Sequence, residues 1–192
     1  LPIWKCEKCE CVEVVGGLED LNKMRFSENN FWILRHGEGT HNVSGIIASG
    51  IEGKNNTAHL TKKGKEQVGE SAKKLVKQLG KKKLEIIISS PYARAKETAK
   101  IVAKMTGAKI ITDKRLSELN MGAFNGRLVS DYDAAFKPLD RFIQAPVGGE
   151  TLADVKKRVM EFMIDINSKY SDKNILITGH GDPLWMLEGA VK

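Results

Sequence analysis

The chain has 192 residues, enough for one α/β domain with a buried core and too few for two large ones. Apolar residues make up 41% and charged residues 29%, a balance that supports a packed globular core and excludes a disordered chain. Apolar runs fall short of the roughly 20 residues that a bilayer span needs, and Leu1-Pro2-Ile3-Trp4 lacks the pattern of a secretion signal. A cytoplasmic location with no membrane partner is therefore expected.

The formal charge is +7, but the lysines fall in clusters, Lys62-Lys63, Lys73-Lys74 and Lys81-Lys82-Lys83, with no aromatic residues interleaved. Such clusters read as a solvated face rather than a nucleic-acid stripe, and a basic surface attracts anionic substrates.

Residues 1 to about 25 differ from the rest and read as a separate piece. They hold all three cysteines, Cys6, Cys9 and Cys11, then a β-like stretch at Val12 to Val15 and a Gly16-Gly17 turn. An odd, clustered set of cysteines argues against a disulfide framework.

From Phe31 strands and helices alternate. Phe31 to Leu34 reads as a short buried strand, and its end opens the first chemical motif. Thr61 caps a helix whose apolar residues Val68, Ala72, Leu75, Val76 and Leu79 recur at helical spacing until Gly80. Leu84 to Ile88 reads as a second strand, followed by Ser89-Ser90-Pro91 and a helix carrying Ala95, Ala99, Val102 and Met105. Lys109 to Thr112 reads as a third. Ser117 to Gly149 has weak periodicity, with turn residues at Gly122, Asn125-Gly126 and Pro146, and reads as loops and short helices over the sheet. Thr151 to Tyr170 is helical, and Asn174 to Thr178 is a last buried strand leading into Gly179-His180-Gly181. The alternation predicts an α/β sandwich on a largely parallel sheet.

Four elements at strand ends or helix starts carry groups suited to phosphate: Arg35-His36-Gly37, Ser90-Pro91 with Arg94, Glu118, and His180-Gly181. Arginine presents a planar fork of donors that fits phosphate oxygens, so Arg35 and Arg94 converging with a second histidine would make a dianion pocket. Gly37 and Gly181 would let a ligand approach the backbone closely.

Leu34-Arg35-His36-Gly37-Glu38 with Thr40 and Asn42 resembles the signature of the histidine phosphatase superfamily, the phosphoglycerate-mutase-like proteins. The same family's landmarks are matched in order by Leu60-Thr61 with Gly64 and Gln67, Ser89-Ser90-Pro91 with Arg94-Ala95 and Thr98-Ala99, and Leu116 with Glu118, Gly122, Phe124 and Gly126. Gly149-Glu150-Thr151 and Gly179-His180-Gly181 complete the series, which runs from about Phe31 to Lys192.

The resemblance implies a three-layer α/β/α sandwich with a mostly parallel central sheet over residues 26–192. It implies that His36 attacks phosphorus and becomes phosphohistidine while Arg35, Arg94 and His180 hold the transferring oxygens. Glu118 stands where the family often places its proton donor, though the run Leu119-Asn120-Met121 departs from the mutase pattern. Thr40 and Asn42 are expected to support the phosphate. No metal or cofactor is implied, and the partner is a small phosphorylated substrate. His41 is expected to border the pocket and His59 to face the surface, neither with an assigned role. The catalytic stretch of about 160 residues leaves little room for the loops a mutase uses to hold a bisphosphate, which favours hydrolysis.

Residues 1–22 also resemble a segment of class I isoleucyl-tRNA synthetase, in which two cysteines contribute to a zinc knuckle. Cys6-x-x-Cys9 has the spacing of half such a site, and no second pair follows. On that resemblance the phosphatase domain is expected to be an insert in, or a piece of, a longer synthetase-like chain, truncated or continued at Lys192. Any nucleic-acid partner would come through that parent. The alternatives to a phosphatase are then a non-catalytic phosphate-binding domain or a phosphoglycerate-type mutase. The sequence carries no signal for oligomeric state.

Overall fold

A computed structural model describes residues 12–15, 29–50 and 58–191. Cys6 and Cys9, with the half zinc site expected of them, lie outside the described residues, as does most of the synthetase-like segment.

Among the described residues five strands form one sheet: β1 (Val12–Val15), β2 (Asn30–Arg35), β3 (Ile86–Ser89), β4 (Lys109–Thr112) and β5 (Asn174–Gly179). Their order is β1-β2-β5-β3-β4, with β2, β5, β3 and β4 parallel and β1 antiparallel at the edge. The Val12 to Val15 stretch of the leading segment thus pairs with β2.

The helices are α1 (Thr40–Ser44), α2 (Lys62–Leu79), α3 (Ala93–Thr106), α4 (Val129–Ala135), α5 (Leu152–Lys169) and α6 (Gly181–Val191). Alternation along each strand sorts them into layers. Phe31, Ile33, Ile86, Ile88, Ile175 and Ile177 pack with α5 and α6, while Trp32, Leu34, Ile87 and Leu176 pack with α2 and α3. The result is the expected α/β/α sandwich. Strands buried on both faces need near-continuous apolar runs, and Phe31-Trp32-Ile33-Leu34 and Ile175-Leu176-Ile177 supply them.

The caps fall where the sequence puts them. Thr61 accepts from the Gly64 amide at 2.9 Å to start α2, and Thr151 with Asp154 makes a reciprocal box at the start of α5. Three details differ from the sequence reading. Val76 is 40% exposed, because one residue past Leu75 is a 100° step around the helix, off the seam of Val68, Ala72, Leu75 and Leu79. Met105, 45% exposed, likewise falls outside the seam of Ala95, Ala99 and Val102. The strand placed at Leu84 to Ile88 is Ile86–Ser89: Leu84 is buried in the core ahead of the ladder, and Glu85 leads into it, its amide donating to Asn174 O and its carboxylate accepting from Lys173 and the Asn174 amide.

The parallel register fixes the site. Arg35 lies opposite Gly179, and Leu34 and Ser89 both lie opposite Thr178, so β2, β5 and β3 end at one level. The ladder runs one bond further, from the His36 amide to Gly179 O (3.0 Å) and from the Ser90 amide to Thr178 O (2.9 Å). His36, His180 and Ser90 therefore leave the carboxyl edge of the sheet side by side, where open α/β sheets place their sites.

Candidate active site

His36 is buried, and its Nδ1 lies 2.7 Å from Gly37 O. A carbonyl only accepts, so Nδ1 carries the proton and Nε2 keeps its lone pair. Burial first, then the Arg94 and Arg35 charges, hold the imidazole well below its ordinary range, so it is neutral in water near neutral pH. Arg94, from the first turn of α3 and 1% exposed, donates from Nε to His36 Nε2 at 3.2 Å and from Nη2 to Ala48 O at 3.0 Å. Its Nη1 is buried with no partner among the described residues. A guanidinium held so has a donor ready for an incoming oxyanion.

His180 is fully buried, its ring centroid 5.1 Å from that of His36. Its Nε2 lies 2.8 Å from Ser90 Oγ, which also accepts weakly from the Tyr92 amide at 3.4 Å. Ser90 Oγ has both a proton and a second lone pair to offer Nε2, and His180 Nδ1 is a buried atom with no partner among the described residues. Burial, with Arg94 next, keeps this ring neutral too. Arg35, at the end of β2, is exposed, and its charge reaches His36, His180, His41 and Glu118.

Glu118 stands on the loop after β4, half-buried, with Oε1 accepting from the Leu119 amide at 3.0 Å. Burial and then the nearby Asp182 push its carboxyl up to about 6, against the pull of Arg94 and Arg35. Asp182, in the first turn of α6 and 4% exposed, is itself raised by burial, and its Oδ2 pairs with Arg141 Nη2 at 2.7 Å. Sequence reasoning did not single out Asp182 or Arg141. An aspartate two residues beyond His180 was the available signal, but its partner comes from a segment with no readable pattern.

The structure gives several family landmarks a supporting place. A Cβ on Gly37 would stand 2.3 Å from Gly64 O, so Gly37 is glycine because β2's exit loop presses against α2, not because a ligand approaches it. Gln67 Oε1 accepts from the Glu38 amide at 2.9 Å, and Thr61 Oγ1 donates to Glu38 Oε1 at 2.8 Å. Asn42 uses Oδ1 to accept from the Gly39 amide at 2.8 Å and so caps α1; Thr40 and Asn42 are both exposed. Arg158 on α5 binds both oxygens of Glu150 and donates to the carbonyls of Arg115 and Glu118, riveting the loop that carries Glu118. Gly122, at φ +48°, turns that loop with no room for a Cβ, which would meet Val147 O at 2.3 Å. His59 is exposed and pairs with Glu97 at 2.6 Å.

A neutral imidazole whose Nε2 lone pair is held only by an arginine N–H, with a second histidine and a carboxyl raised to about 6 nearby, on the carboxyl edge of a parallel sheet, is an arrangement suited to phosphoryl transfer. The comparisons agree. The family model of the histidine phosphatase superfamily (branch 1) matches residues 31–191, and the chain belongs to that family. It is similar to phosphoserine phosphatase 1 of Hydrogenobacter thermophilus, 27% identical over 79% of this chain and 71% of that one. It is 31% identical to the 2,3-bisphosphoglycerate-dependent phosphoglycerate mutase of Thermoplasma acidophilum, over 79% of this chain and 70% of that one. Among solved structures, Bacillus stearothermophilus YhfR superposes with a TM-score of 0.68 at 30% identity, covering 84% of this chain and 79% of that one. A mycobacterial glucosyl-3-phosphoglycerate phosphatase in complex with VO3 superposes with a TM-score of 0.68 at 27% identity, covering 82% and 79%. The chain is an enzyme of phosphatase type by this membership. The family match starts at residue 31 and gives the synthetase resemblance of residues 1–22 no support. No helix among the described residues is long and apolar enough to cross a membrane.

Proposed function

We propose that the protein hydrolyses small phosphomonoesters in two steps through a phosphohistidine on His36 Nε2. The observation that carries the reading is the pinned tautomer of His36: Nδ1 is spent on Gly37 O, and Nε2 is left as a nucleophile among Arg94, His180 and Arg35.

In the first step the Nε2 lone pair attacks phosphorus and the bond to the leaving oxygen breaks. Arg94 releases Nε2 and turns its donors to the phosphoryl oxygens, joined by Arg35 and by the His180 ring. Fixed donors of this kind stabilise the charge that develops in the transition state. Glu118, protonated below about pH 6, gives its proton to the leaving oxygen. In the second step Glu118, now ionised, takes a proton from water as it attacks phosphorus, and inorganic phosphate leaves His36 neutral again.

Relatives named for phosphoserine and glucosyl-3-phosphoglycerate favour a small, anionic phosphomonoester as substrate. Mutase activity is the second reading, on the 31% identity to the phosphoglycerate mutase. The test is turnover of p-nitrophenyl phosphate without added metal across several pH values, with His36→Ala and vanadate-inhibited controls. Turnover abolished in both controls supports the reading. Turnover that survives in His36→Ala sinks it, and a folded protein that binds vanadate without turnover is a phosphate-binding module. Interconversion of phosphoglycerates faster than hydrolysis would favour the mutase.

A further inference from the structure

One ring beside the nucleophile has no part in that scheme. His41, in the first turn of α1, has its ring centroid 5.5 Å from that of His36, the planes tilted by 53°. Its Nδ1 is buried with no partner among the described residues. The ring packs against Gly39, where an added Cβ would stand 2.7 Å from Nδ1 and 2.8 Å from Cε1. Gly39 has an ordinary extended φ of −101°, so the backbone there does not require glycine; the ring does.

A buried N–H with no acceptor costs more than it is worth, so the proton avoids Nδ1 and sits on Nε2, which is not among the sealed, unpartnered atoms. The ring therefore offers one donor. Burial, then Arg94 and Arg35, lower its pKa to about 4, and His36 and His180 are the other titratable rings beside it.

We infer that His41 is a further substrate-contacting residue, offering a neutral Nε2–H to an oxygen of the phosphoryl group at His36, in space that Gly39 keeps open. A neutral donor suits this place. A third full cation beside Arg35 and Arg94 would be repelled in the free enzyme, whereas a neutral N–H keeps the same strength across the working pH range. The inference rests on the phosphohistidine reading above.

The experiment measures vanadate affinity and steady-state kinetics for His41→Ala, His41→Gln and Gly39→Ala, with melting temperatures to confirm folding. Glutamine places an amide donor near where imidazole Nε2 stood. His41→Ala is expected to weaken vanadate roughly tenfold or more, as for a lost hydrogen bond to a charged group. His41→Gln should recover most of that loss and keep the wild-type pH profile between about pH 5 and pH 8, where the imidazole does not titrate. Gly39→Ala, which pushes the ring aside, should behave as His41→Ala does. Wild-type vanadate affinity in a folded His41→Ala protein would overturn the inference, and so would a His41→Gln protein as weak as the alanine variant, since the ring would then be packing only. If wild type and His36→Ala bind vanadate equally poorly, the phosphohistidine reading itself has failed.

Discussion

The two sides of the site are built differently. The phosphate side stands on strand ends and a helix start: His36, Ser90, Arg94 and His180 are each 5% exposed or less, and the ladder bonds from the His36 and Ser90 amides fix their roots. The other side comes from residues 117–149, a run of short turns and α4 expected to meet the leaving group, where Leu139, Ile143 and Val147 are 81%, 78% and 86% exposed. The common chemistry sits on the rigid part, and the variable contacts sit where a loop changes without disturbing the sheet. Substitutions on the first side should remove activity for every substrate; those on the second should change which substrate is used.

The largest effect tests the rigid side. Arg94→Ala is expected to lower kcat/KM roughly 10³-fold, at the upper end for one preorganised donor, because the side chain both holds His36 Nε2 and supplies Nη1. Arg94→Lys keeps the charge but not the fork, and should recover only a small part. A loss below about tenfold with p-nitrophenyl phosphate would break the contrast between the two sides.

Glu118 lies on the boundary between them. Glu118→Gln should lower kcat about 10²-fold with substrates whose leaving group needs a proton, and less with p-nitrophenyl phosphate. Its pKa is raised from 4.5 to about 6, so the acid form is present below about pH 6 and the first step slows as pH rises through it. The same rise has a sign for stability. The folded state holds this proton more tightly than the unfolded chain, so the contribution is full at low pH and lost as pH rises through about 6. Glu118→Gln should therefore gain up to about 2 kcal/mol at pH 8 while losing activity, which denaturant titration reads directly. Asp182→Asn removes the neighbouring negative charge and should move the alkaline limb of the kcat profile downward.

Arg158 tests whether the rigid side extends to the loop. Arg158→Met removes its bonds to Glu150 and to the Arg115 and Glu118 carbonyls, and should cost on the order of 2–3 kcal/mol. With Glu118 less firmly held, kcat should fall about tenfold with KM little changed, by the sensitivity of rates to misplacement of a catalytic group.

Which residues could be read from the sequence follows the same division. His36, Arg94 and His180 are legible because motifs at strand ends and a helix start combine a local periodicity with a residue type whose chemistry is specific. Thr61 and Gly80 are legible because a cap is a local event. Gly64 and Gln67 could be read as landmarks but not understood, since their function is a contact with Gly37 and Glu38, about 27 to 29 residues away, that only the packed sandwich creates. Val76 misled because an apolar residue beside a helical seam looks the same in a sequence as one within it. Asp182 and Arg141 were invisible as a pair: they are 41 residues apart, and nothing local tells Arg141 which carboxylate it will meet. His41 was read as bordering the pocket, yet its fit depends on the missing side chain of Gly39, a shape rather than a pattern.

The smallest effect concerns the exposed side. Leu139, Ile143 and Val147 are apolar side chains in water on the segment that follows α4, and their truncation removes almost no buried area. A Leu139→Ser, Ile143→Ser, Val147→Ser triple variant should change stability by no more than about 0.5 kcal/mol per site. If this face meets the leaving group, KM should rise for substrates with an apolar leaving group while kcat holds, because binding lost equally from ground state and transition state leaves the chemical step alone. The same variant should leave turnover of a small polar phosphomonoester unchanged. A fall in kcat for both substrates would mean that the segment helps to position Glu118, through Arg141 and Asp182, and that the division between a rigid phosphate side and an adaptable leaving-group side is drawn in the wrong place.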